Sequence, residues 1–83
     1  MTYTYTPKGV CSQKITIDLD ENHVIRACSF YGGCNGNTQG VSRLVTGRKA
    51  EDVIATLEGI KCGPRPTSCP DQLSRALKEA ITE

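Results

Sequence analysis

Residues 11–31 read CSQKITIDLDENHVIRACSFY, and the rhythm of this stretch decides the fold. From Cys11 to Leu19 the side chains alternate. Gln13, Ile15, Ile17 and Leu19 share the face of Cys11, while Ser12, Lys14, Thr16 and Asp18 are expected to face water. Asp20, Glu21, Asn22 and His23 supply a polar turn, and Val24 to Tyr31 returns as the partner strand. Cys28 falls mid-strand on the side of Val24 and Phe30 and reads as an ordinary buried thiol. A hairpin with its open end at Cys11 and Gly32 brings Cys11 and Cys34 to the same end of a sheet.

On the N-terminal side, Thr2 to Thr6 alternates Thr with Tyr and stops at Pro7 and Gly9, which suits a short edge strand. On the C-terminal side the period changes from two to about 3.6. Asn37 is placed to cap a helix running to about Thr46, with Val41, Leu44 and Val45 as its apolar positions and Gly47 as its stop. Ala50, Val53, Ile54 and Leu57 recur at helical spacing and predict a second helix ending near Gly59. Pro70 and Asp71 suit a first helical turn, and Leu73, Ala76, Leu77, Ala80 and Ile81 form one apolar stripe of a third helix. Strands followed by helices predict a single α+β domain over residues 1–83, a short antiparallel sheet with three helices on one face.

The chain has 83 residues and a net charge of +1, with 37% hydrophobic and 5% aromatic residues and no Trp. A core built this way is thin. Net stability for such a length is about 4–12 kcal/mol, whereas a structural zinc contributes about 10–16 kcal/mol in small peptides. One metal centre is therefore enough to decide whether the chain folds. The charges are interleaved, which leaves no electrostatic footprint for nucleic acid or a membrane surface. Neither a secretory leader nor a spanning segment is evident, so a cytoplasmic setting is expected. Thiols there stay reduced, and five cysteines, an odd number, do not suit a disulfide framework.

Cys11, Cys34, Cys62 and Cys69 fall where predicted elements begin or end, as ligands converging on one point must. Cys34 and Cys69 would stand just before helices, where unsatisfied N–H groups and the helix dipole suit an anionic ligand. Arg48 and Arg65 are candidates to flank this sulfur end. Cys62 and Cys69 bracket Gly63-Pro64-Arg65-Pro66-Thr67-Ser68, whose prolines restrict the backbone, so the pair would suit either a shared metal or reversible disulfide exchange. No C-x2-C knuckle of the usual zinc modules is present. His23, in the hairpin turn, and Lys49, Glu51 and Asp52, at a helix start, read as solvated. No Ser/His/Asp set, catalytic carboxylate pair or phosphate loop is found, which gives little support for an independent enzyme.

Thr67-Ser68-Cys69-Pro70-Asp71 spells TSCPD. With the Gly-Gly-Cys segment ending at Cys34 and with Cys62-Gly63, the chain resembles the small four-cysteine family bearing the TSCPD domain, a domain also found at the C-terminus of adenosylcobalamin-dependent ribonucleotide reductases. That resemblance implies a metal-binding accessory module with ribonucleotide reductase or another enzyme as partner. It does not imply reductase activity, which needs a large barrel. The chain is also similar to the NifU and IscU iron-sulfur scaffolds in Cys11 opening a strand, Cys34 turning into a helix with a break at Gly47 to Lys49, and Cys69 heading the last helix. It departs from them at Gln13, where the scaffolds have aspartate, at Ser68, where they have histidine, and in lacking their chaperone-recognition segment. Four thiolates make a closed site. The expectation is therefore stable binding of zinc first and an iron-sulfur cluster next, by Cys11, Cys34, Cys62 and Cys69.

Overall fold

The computed structural model describes residues 1–10, 12–32 and 35–82. Among them the chain forms strands β1 (Thr2–Tyr5), β2 (Ser12–Leu19) and β3 (Ile25–Gly32), then helices α1 (Asn35–Val45), α2 (Ala50–Leu57) and α3 (Cys69–Thr82). The sheet is antiparallel in the order β1-β2-β3. This is the expected α+β arrangement. Apolar side chains line the sheet face toward the helices: Ile15, Ile17 and Leu19 from β2 and Ile25 from β3 are almost completely buried, and Tyr3, Tyr5, Cys28 and Phe30 pack against them. From α3 the predicted stripe closes the core, with Leu73, Ala76, Leu77 and Ala80 buried and Ile81 packed at its margin. Ala50, Val53 and Ile54 of α2 are buried as their spacing requires.

Two bulges change the strict alternation. Ser12 pairs with Gly32, but Lys14 pairs with Tyr31, so β2 carries an extra residue there. Gln13 and Lys14 both turn to solvent, and Ser12, expected in water, is turned inward and is only 3% exposed. The second shift lies between Asp18 and Leu19. There Asp18 faces Ala27 and Leu19 faces Ile25, which leaves Arg26 as the extra residue on β3. As a result Ile25, rather than Val24, shares the inward face of Cys28 and Phe30. A bulge adds one residue to one strand and so reverses the phase of the side chains beyond it.

α1 departs from expectation in two respects. It starts at Asn35, so Asn37 lies inside the helix rather than capping it. Its buried positions are Thr38 and Val45, with Val41 partly buried, while Leu44 is 74% exposed. Gly47 ends the helix at φ +89, a conformation glycine adopts without a Cβ penalty. The chain then runs beside the start of β3: Gly47 N–H donates to Ile25 O at 2.7 Å, and Ile25 N–H donates to Arg48 O at 2.8 Å. This fastening sits next to the hairpin turn. Arg48 is therefore placed by β3 at the end away from the Ser12–Gly32 pair, and it does not flank the sulfur end. No helix among the described residues is long and apolar enough to cross a membrane.

Candidate metal centre

The start of α3 is set by the residues Thr67 to Asp71. Ser68 is the N-cap: its Oγ accepts Asp71 N–H at 3.1 Å and donates to Ile60 O at 2.7 Å. Cys69 is then the first residue of the helix. Pro70 falls within the first turn, where a missing N–H costs no helical hydrogen bond. Asp71 does more than complement the dipole. Only 3% exposed, it accepts Gly59 N–H at 2.7 Å and the Thr67 hydroxyl, with the Arg75 guanidinium at 3.5 Å. Burial pushes the Asp71 carboxyl up, but the Thr67 and Gly59 hydrogen bonds, helped by Arg75 and Lys78, outweigh it and hold the group below its ordinary value. Gln72, also buried, donates from Nε2 to Thr67 Oγ1 at 2.9 Å and accepts from Lys8 N–H at 3.0 Å and Tyr5 OH at 3.3 Å. One polar network thus ties the α2–α3 loop and the β1–β2 connection to the head of α3.

That network adjoins two of the cysteines. Cys69 is 7% exposed, and its Sγ lies 2.8 Å from Ser12 Oγ, the hydroxyl that the β2 bulge turns inward. Cys62 is exposed. Its N–H donates to Thr67 O at 3.2 Å, and its carbonyl accepts Arg65 N–H at 3.0 Å, so it is held in a tight loop next to the helix start. Arg65 accompanies Cys62 in that loop. Cys11 and Cys34 lie outside the described residues. Their described neighbours do meet: Ser12, which follows Cys11, pairs with Gly32, which precedes Cys34 by two positions, and Ser12 touches Cys69. Among the described residues no cluster of three or more His, Cys, Asp or Glu forms a metal-binding group.

The other candidates lie elsewhere. Cys28 is partly buried on the inner face, 3.9 Å from the Ser42 hydroxyl, and burial pushes its thiol up to about 11 against a small opposing effect of that hydroxyl. It behaves as the packed thiol its position implies. His23 sits in the hairpin turn at φ +65 and is not merely solvated, since its Nδ1 lies 2.6 Å from Glu51 Oε2 and joins the turn to α2. The hydrogen bond from His23 lowers the Glu51 carboxyl. Of the residues that shape the sulfur end, Ser12 is assigned to water and Thr67 and Ser68 to the motif alone, and Gln72 is not singled out in the sequence reading. The pattern Ser68-x-x-Asp71 before an apolar stripe is a helix-start signature that could have found the cap. No sequence signal marks the bulge that delivers Ser12.

A family model described as the TSCPD domain matches residues 1–81. No curated protein and no solved structure matches the chain.

Proposed function

This chain belongs to the TSCPD-domain family, and we propose that it binds one metal centre through Cys11, Cys34, Cys62 and Cys69 as a structural or accessory module. The contact of Ser12 Oγ with Cys69 Sγ at 2.8 Å, made by a residue that pairs with Gly32, carries this reading. It draws the segments next to Cys11 and Cys34 to the head of α3, and the Cys62–Thr67 hydrogen bond brings the fourth cysteine's loop to the same place. Four soft thiolates fit zinc first and an iron-sulfur cluster next. A closed set of four favours a permanent centre over delivery of clusters. The partner fitting the resemblance is ribonucleotide reductase or another enzyme to which such a module is appended.

Anaerobic purification followed by elemental analysis tests the reading. About one zinc, or one cluster with visible absorption, is expected per chain. A fully folded chain that stays metal-free after expression in metal-replete medium overturns it. The asymmetry of an exposed Cys62 and a buried Cys69 across one loop favours a second reading, a thiol redox protein using that pair. Rapid alkylation of Cys62 in a folded, metal-free chain, with a reversible Cys62 to Cys69 disulfide at cytosolic potential, would select it.

A further inference from the structure

We infer that Ser12 is a positioning residue of the sulfur site, its hydroxyl donating to Cys69 Sγ and fixing the direction in which that sulfur presents itself to a metal; this rests on the reading above. Two independent observations lead to it. The first is the contact itself: both residues are buried, Ser12 at 3% and Cys69 at 7% exposure, and their side chains meet at 2.8 Å. The second is the bulge opposite Tyr31. Regular alternation in step with Ile15 and Ile17 would send Ser12 to water, so the strand departs from regular pairing at the place where this hydroxyl reaches the sulfur.

The chemistry assigns the direction of the bond. A ligating thiolate has no proton to give, so Ser12 must be the donor and Cys69 the acceptor. Cys69 is further constrained from behind, because the Ser68 cap and the Asp71 network fix the first turn of α3. With the backbone held on one side and the sulfur held by Ser12 on the other, little freedom is left in the side chain. Outer-shell hydrogen bonds of this kind orient metal ligands and adjust their donor strength, and losing one typically lowers metal affinity about 10–100-fold.

Cobalt(II) is a suitable probe, since its thiolate charge-transfer band reports on each sulfur and its affinity is measured by chelator competition. Ser12→Ala is expected to bind cobalt about 10–100-fold more weakly with a shifted charge-transfer band. Ser12→Thr, which keeps the hydroxyl, should restore both, while Ser12→Val, of similar shape but without it, should not. Equal affinity and an unchanged band in Ser12→Ala overturn the role of Ser12 and leave the metal reading standing. Equal losses in Ser12→Thr and Ser12→Val also overturn it, because the effect is then one of packing. A wild-type chain that binds no cobalt overturns the metal reading and this role with it.

Discussion

Asp71 is the residue on which most of the motif turns. Its buried carboxylate joins the turn after α2, the Thr67 hydroxyl and the exposed Arg75. Asp71→Ala leaves the Gly59 N–H and the Thr67 hydroxyl without their acceptor, and we expect a loss of about 3 kcal/mol in urea unfolding. The acid limb should report on the same group. Because the folded-state value is depressed, the stabilisation is present above the unfolded value of about 3.9 and disappears as pH falls through the lower folded value. Asp71→Asn should flatten stability against pH in that window while leaving the neutral-to-alkaline slope unchanged. Cys28 makes the opposite prediction. Cys28→Ala should retain the metal at a cost of about 1 kcal/mol, and in the native chain its thiol, at about 11, should alkylate far more slowly at pH 8 than a free cysteine. The position of Cys28 is legible in the sequence because it alternates in step with Phe30, while its neighbours Ala27 and Ser29 fall on the exposed face. The role of Asp71 is not, since a first-turn acid is ordinarily explained by the helix dipole and its real partners come from a loop whose path no local pattern records.

At the scale of the element, the helices divide by how well their spacing serves as a guide. α2 and α3 bury the residues their period names because each presents one continuous apolar stripe. In α1 the stripe runs through Thr38, Val41 and Val45, so a threonine takes a core position and Leu44 is left outside. Leu44→Lys should therefore change stability by no more than about 0.5 kcal/mol, whereas Val45→Ala, one residue further, should cost about 1–3 kcal/mol. Thermal melts of the pair decide the point, and the reverse order would contradict the packing described. The strands show the same limit of pattern reading. Ile15, Ile17 and Leu19 keep the alternation and are correctly legible, but Ser12 and Ile25 lie beyond bulges. A bulge depends on how two strands pair, which a single strand's alternation cannot register.

For the whole molecule, the β1–β2 connection and the head of α3 are joined by the network that runs from Lys8 and Tyr5 through Gln72 and Thr67 to Asp71. If the proposed metal is bound, its loss should therefore be felt throughout the chain. Cys11→Ser, Cys34→Ser, Cys62→Ser and Cys69→Ser should each lower metal occupancy and melting temperature, because a hydroxyl replaces a soft thiolate poorly. Chelation should make all four alkylatable together with loss of near-ultraviolet dichroism; unchanged dichroism after complete metal removal would uncouple the centre from the fold. The bulge in β2 gives the strand two reading frames. From Ile15 to Leu19 the frame is dictated by the interior, while at Ser12 it is offset by one. Shortening the chain by Gln13 would bring the frames together, because Ser12 would then directly precede Lys14 and face inward by plain alternation with Ile15. Gln13 is thus the surplus residue of the strand, the one that sets Ser12 out of step with the sequence pattern, and its removal is expected to keep the hydroxyl turned toward Cys69.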